Sequence, residues 1–333
     1  MYIRRNVFAA ISVLACLGAM PGKLVAAELK LAHFVAPTHP YHPVFQWLAG
    51  EVNKETGGAL SIRIFPGGEL GANPAEQMNR AIDGIADIAF VIPGYTAAQF
   101  PRTLMIEYPG IRNDAASGTN ALWDAREALG EEYRRVKLLS LWTINPAVLF
   151  TRDKPVRTLQ DIKGLKIRVA SKSGGDMVKA WGAIPVFSPV TEMYNSIQTG
   201  VVDGVVIDPG AAIAFKLTEI CNYVTVGMDS ILTSFALVMN RDAWNKLPAD
   251  QKAVIDKLTG VTLARRNNQA WDALVGKSLG LMSSSPGKQV ITLDPAEAAK
   301  FNAASREVLK SYIAELDSKK MQGATLHKML SSQ

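Results

Sequence analysis

Apolar residues recur along this chain with two periods, about two and about 3.6, and the switching between them outlines the elements. LKLAHFV at Leu29–Val35 alternates as a strand. After the turn Ala36-Pro37-Thr38-His39-Pro40, Phe45, Leu48 and Val52 mark one helical face over His42–Thr56, which Gly57-Gly58 ends. LSIRIF at Leu60–Phe65 is a second alternating strand and runs into a Pro66-Gly67-Gly68 turn. Asn73-Pro74-Ala75-Glu76 combines an N-cap, a first-turn proline and a glutamate, so it opens a helix that ends near Gly84. ADIAFVI at Ala86–Ile92 is almost continuously apolar, which suits a strand covered on both faces. The succession βαβαβ predicts a doubly wound α/β lobe.

Downstream, a helix is expected near Ala115–Gly130, then strands at Val136–Trp142 and Ala147–Thr151 flanking Asn145-Pro146, read as a crossing into a second lobe. In GLKIRV at Gly164–Val169, Leu165, Ile167 and Val169 share one face of a strand and Lys166 and Arg168 the other. Ser234–Asn240 reads as a returning strand. From Pro248 to about Met282 the pattern is helical and far exceeds the usual three turns, so that helix is expected to span both lobes. Gln289–Leu293 is a last strand, and Asp294-Pro295-Ala296-Glu297 opens a terminal helix. The expected division is 28–145 plus 235–275 for lobe I and 146–234 plus 276–333 for lobe II.

The N-terminus departs from these patterns. Arg4 and Arg5 precede an apolar run, Val7–Met20, and Val25-Ala26-Ala27 supplies small residues. This is the layout of a secretory signal peptide, cleaved after Ala27 to leave 306 of 333 residues. Val13-Leu14-Ala15-Cys16 offers a rival reading as a lipidation site at Cys16, which Leu14 and the apolar run beyond it fit less well. No later run is long enough for a membrane span. Cleavage leaves Cys221 alone, so an intramolecular disulfide is excluded and Cys221 is expected to be buried. Loss of Arg4, Arg5 and Lys23 lowers the formal charge from +6 to +3. With no Lys/Arg block and no zinc-finger spacing, nucleic-acid binding is not expected.

Several residues carry candidate chemistry, each with two readings. Arg168 is a structural ion-pair partner or a ligand clamp. Tyr95 lies just past a strand's C-terminal end, where open α/β sheets bind ligands, or is a turn aromatic. Asp208 caps the segment after Pro209 or meets a ligand. Phe34, Trp142, Phe187 and Phe235 lie near predicted strand ends and belong either to the core or to a cleft.

GLKIRV followed by Thr191-Glu192-Met193-Tyr194-Asn195-Ser196-Ile197-Gln198-Thr199-Gly200-Val201-Val202-Asp203-Gly204 closely resembles the DctP-type solute-binding proteins of TRAP transporters. Members of that family show a GLKIRV-like strand and an SEVYxALQTGVVDG-like helix and turn. His39-Pro40-Tyr41-His42, Phe65-Pro66-Gly67-Gly68-Glu69-Leu70-Gly71, Gly84-Ile85-Ala86-Asp87-Ile88 and Met239-Asn240-Arg241-Asp242-Ala243-Trp244 extend the resemblance over nearly the whole chain beyond the signal segment.

The resemblance implies a two-lobed periplasmic-binding-protein architecture that closes on an organic acid. It also implies delivery of the ligand to the transporter's membrane subunits. The protein is expected to be a periplasmic monomer, exported by its signal peptide, with no cofactor. By the same resemblance Arg168 pairs with the ligand carboxylate, and a guanidinium fork fits a carboxylate bidentately. Two positions depart from the family. A second arginine found in sialic-acid-binding members falls nearest Val148, and the family's asparagine after the VDG turn falls on Ile207 or Asp208. The expected ligand set is Arg168, Asp208, Tyr95, Trp142, Phe34, His39, Phe187 and Phe235. One arginine among aromatic walls favours an aromatic monocarboxylate over a dicarboxylate.

Competing classes find less support. A protein presenting its ligand to a sensor would look alike. A metal-binding protein would draw on His33, His39 and His42, but these sit around a proline-rich turn with no cysteine. No G-x-S-x-G elbow, Walker loop or dinucleotide fingerprint suggests an enzyme.

Overall fold

The computed structural model describes residues 27–331, so the apolar run of the signal segment and Cys16 lie outside the described residues. The chain builds two sheets. The first uses β1 (Ala27–Ala32), β2 (Leu60–Phe65), β3 (Ile88–Val91) and β4 (Val136–Thr143). The second uses β5 (Val148–Thr151), β6 (Lys166–Val169), β7 (Ile184–Phe187), β8 (Gly204–Ile207) and β9 (Tyr223–Val226). β10 (Ser234–Asn240) then returns to the first sheet, and β11 (Gln289–Thr292) completes the second.

The orders are β2-β1-β3-β10-β4 and β11-β9-β5-β8-β6-β7. In the first, β1 runs parallel to both β2 and β3, as the βαβαβ pattern requires. β10 inserts antiparallel between β3 and β4. In the second, β6 is parallel to β7 and β8, while β5 is antiparallel to β8 and β9.

Two extended segments pass side by side between the sheets. Ile144 N donates to Thr233 O at 3.2 Å, and Ala147 N donates to Ile231 O at 2.8 Å. The lobes also touch away from these crossings. Gly94, past the end of β3, approaches Ser171 so closely that a Cβ on it would lie 2.7 Å from the serine Cβ. Glu107 of the first lobe is fully buried and accepts from Ser234 N (3.0 Å), Ser234 Oγ (2.7 Å) and Ser173 Oγ (2.6 Å). Burial raises its pKa, and these donors oppose the rise.

Helices cover both sheets, and three of them differ from the expectation. The helix predicted over Ala115–Gly130 stops at Asp124 and is followed only by a short turn at Gly130–Tyr133. The Pro248–Met282 pattern is two helices, Ala249–Leu258 and the 25-residue Gly260–Ser284. They break because Gly260 has φ +56° and a Cβ on it would meet the Trp123 ring at 2.7 Å, while Ser140 Oγ donates to its carbonyl at 2.6 Å. The longer helix packs on β4 and also reaches β11, so it does span both lobes.

The helix Pro295–Ser318 likewise crosses. Its Ala298 and Phe301 join the apolar cluster of Ile167, Val169 and Trp181, whereas Leu309, Tyr312 and Leu316 join that of Leu104, Leu122 and Leu141. Leu326 and Leu330 of the last helix, Gly323–Ser331, join the latter as well. The expected placement of all of 276–333 with lobe II therefore gives way: at about 1.5 Å per residue, a 24-residue helix outruns one lobe.

Candidate functional site

Between the lobes lies a cavity with about 560 Å³ of empty space, its open mouth included. The first lobe contributes an aromatic wall. Phe34 stacks on Phe90 (5.3 Å, 15°), and Phe90 stacks on Phe235 (5.6 Å) and on Trp142 (5.8 Å). The register explains the stack, since Phe90 lies opposite Leu237 and Phe235 opposite Trp142 on three neighbouring strands. Tyr41 stands nearly perpendicular to Phe90, Trp142 and Phe235, and its hydroxyl accepts from Trp142 Nε1 at 3.3 Å.

The second lobe contributes charge. Ile167 and Val169 face the apolar core, so the strand alternation turns Arg168 to the opposite face, where it lines the cavity and is only 1% exposed. Its Nε and Nη2 both donate to Ser188 O, at 2.9 and 2.5 Å. Of the five guanidinium N–H groups, Ser188 engages two. Tyr95 lies against the guanidinium, and its hydroxyl accepts from Val190 N at 2.9 Å, tying a first-lobe loop to the start of a second-lobe helix. Burial lowers the Arg168 pKa and raises that of Tyr95. Among the described residues no carboxylate lies within ion-pair distance of Arg168.

Asp208 follows β8 and is also 1% exposed. Its Oδ1 accepts from Gly210 N at 2.8 Å and from Trp271 Nε1. Its Oδ2 has no partner among the described residues. Burial pushes its pKa up to about 7. His39 packs against Trp271 (5.2 Å) and Phe215 (5.6 Å), and its Nδ1 accepts from Tyr41 N at 3.3 Å, which leaves the proton on Nε2. Burial, reinforced by His33, pushes the His39 pKa down to about 3.

Of the expected ligand set, Arg168, Asp208, Tyr95, Phe34, His39 and Phe235 come together around this cavity. Trp142 does not line it but backs the aromatic wall from within the core. Phe187 lies elsewhere: it ends the edge strand β7, is 60% exposed and covers Gly175. Phe90, Phe215 and Trp271 line the cavity unforeseen, and Tyr41 entered only as part of the His39–His42 motif. His33 Nε2 and His42 Nδ1 lie 2.9 Å apart, one ring donating to the other. No group of three or more histidine, cysteine or acidic side chains suited to a metal ion occurs among the described residues.

Residues 31–316 match the family model of bacterial extracellular solute-binding proteins, family 7, the DctP family. The chain belongs to this family. A solute-binding protein of Albidiferax ferrireducens is 29% identical to the DctP-family chain over 214 residues, which span 62% of each protein. A TRAP solute-binding protein from Rhodoferax ferrireducens, solved with copurified benzoate, superposes with a TM-score of 0.85 at 26% identity, covering 92% of this chain and 97% of that one. Another from Bordetella bronchiseptica, with bound (R)- and (S)-mandelate, gives 0.84 at 27% identity, covering 92% and 98%. The fold is thus the two-lobed α/β architecture of TRAP solute-binding proteins.

Proposed function

We propose that this DctP-family protein captures an aromatic monocarboxylate in its interlobe cavity and hands it to the membrane subunits of a TRAP transporter in the periplasm. The observation that carries this reading is Arg168. It is a buried cation without a carboxylate partner among the described residues, aimed by Ser188 and Tyr95 into a cavity whose other wall is aromatic. A buried charge is costly unless paired, and a ligand carboxylate would supply the pair. Among the described residues the lining offers one arginine, no lysine, and a His39 that burial keeps neutral, so it presents no second cation for a dicarboxylate's other end. The aromatic acids bound by the two solved relatives support the same class.

Closure follows from the same contacts. Tyr95 and Val190 join the lobes beside Arg168, so a ligand held by Arg168 favours the closed population. A thermal-shift screen of benzoate, phenylacetate, 3-phenylpropanoate, succinate and malate tests the reading, because a ligand of the folded state raises its melting temperature. At least one aromatic acid should stabilise the protein. Stabilisation by succinate or malate alone would refute it.

A further inference from the structure

The cavity has a second polar point that a plain aromatic acid would leave unanswered. Asp208 is buried, its Oδ1 is committed to Gly210 N and Trp271 Nε1, and its Oδ2 meets no donor among the described residues. A buried carboxylate oxygen without a donor is destabilising, and only a proton or a donor brought by another molecule relieves it. Asp208 lines the same cavity as Arg168, but its neighbours differ: Trp271, Gly210 and Tyr41 in place of Ser188, Tyr95 and Val190.

The two points come from neighbouring strands. Arg168 lies opposite Val205 of β8, and Asp208 begins the turn just after that strand ends at Ile207. Both line the one cavity, so a molecule whose carboxylate sits on Arg168 can present a different group to Asp208. Trp271, His39 and Phe215 surround that region with ring surface, which suits a ring there.

We infer that Asp208 is a specificity residue for a ring hydroxyl, so that the ligand is a hydroxylated aromatic acid whose O–H donates to Asp208 Oδ2. The inference rests on the aromatic-acid reading above and narrows it. The raised pKa of Asp208 agrees, since without a ligand donor a proton partly takes that place.

Calorimetric titrations of benzoate and 3-phenylpropanoate against their 3- and 4-hydroxy counterparts test it, with wild-type protein, Asp208→Ala and Asp208→Asn. In the wild type at least one hydroxy isomer should bind about tenfold or more tightly than its parent. Asp208→Ala should bring the affinities of parent and hydroxy acid within about threefold of each other. Asp208→Asn guards against misfolding: its Oδ1 can still accept from Gly210 and Trp271, while its amide nitrogen cannot accept from the ligand, so the preference should drop there too. Equal binding of parent and hydroxy acid by the wild type, or a preference that survives both substitutions, overturns the subsite and leaves the aromatic-acid reading standing. Failure of every aromatic acid to bind removes both.

Discussion

The two walls of the cavity are built on opposite principles. The first-lobe wall is a layer of rings, Phe34, Phe90 and Phe235 over Trp142 with Tyr41 edge-on, and it continues directly into that lobe's core. The second-lobe wall places two buried ionisable groups, Arg168 and Asp208, at the ends of neighbouring strands. Rings that contact a ligand on one side and the core on the other contribute to folding whether or not a ligand is present. Buried charges do the reverse. They weaken the unliganded fold and gain when a complementary group arrives. The ring wall thus serves stability and shape, and the charged wall serves recognition.

Substitutions on each wall should separate these roles. The largest effect is expected at Phe90→Ala, which removes a fully buried ring touching Phe34, Tyr41, Phe45, Trp142 and Phe235. It should cost about 3–5 kcal/mol of folding stability in urea melts. Arg168→Ala should lower affinity for the preferred acid by about two orders of magnitude, near 2.7 kcal/mol, and Arg168→Lys should recover little because an ammonium lacks the planar fork. The unliganded melting temperature should move far less than for Phe90→Ala, and an equal fall in both would erase the distinction between the walls.

The smallest effect is in the pH dependence, where the walls have opposite signs. His39, with its pKa lowered to about 3, stays neutral in the fold while an unfolded histidine protonates below about 6.5. Its contribution is complete above that value and is lost toward pH 3, by about 1.4 kcal/mol per unit. Asp208, raised to about 7, holds in the fold a proton that an unfolded aspartate releases above about 3.9. Its contribution is greatest below that value and is lost as pH rises to 7. Measured from pH 7 to pH 5, His39→Gln should therefore gain stability relative to wild type, and Asp208→Asn should lose the advantage it holds at neutral pH. Parallel slopes for both variants would contradict the burial argument.

The charged wall was largely legible from sequence, because GLKIRV and the VDG turn are local patterns and strand alternation turns Arg168 away from Ile167 and Val169. The ring wall was not, because it depends on strand order. β10 enters between β3 and β4 from far downstream, and only that insertion sets Phe235 beside Phe90 and Trp142. Phe187 was misplaced for a related reason: its strand is an edge, and alternation alone does not distinguish an edge from a centre. Asp208 combines its two readings, one oxygen in a turn and the other without a partner among the described residues. The helix break at Gly260 is set by Trp123 and Ser140, both more than a hundred residues away in sequence.

The most direct test of the division between the walls is a crystal structure of the protein with the tightest-binding acid from the screen. The account predicts the carboxylate on the free N–H groups of Arg168 and the ring against Phe34, Phe90 and Phe235. A carboxylate held away from Arg168, or a ligand body that does not meet those three rings, would contradict it.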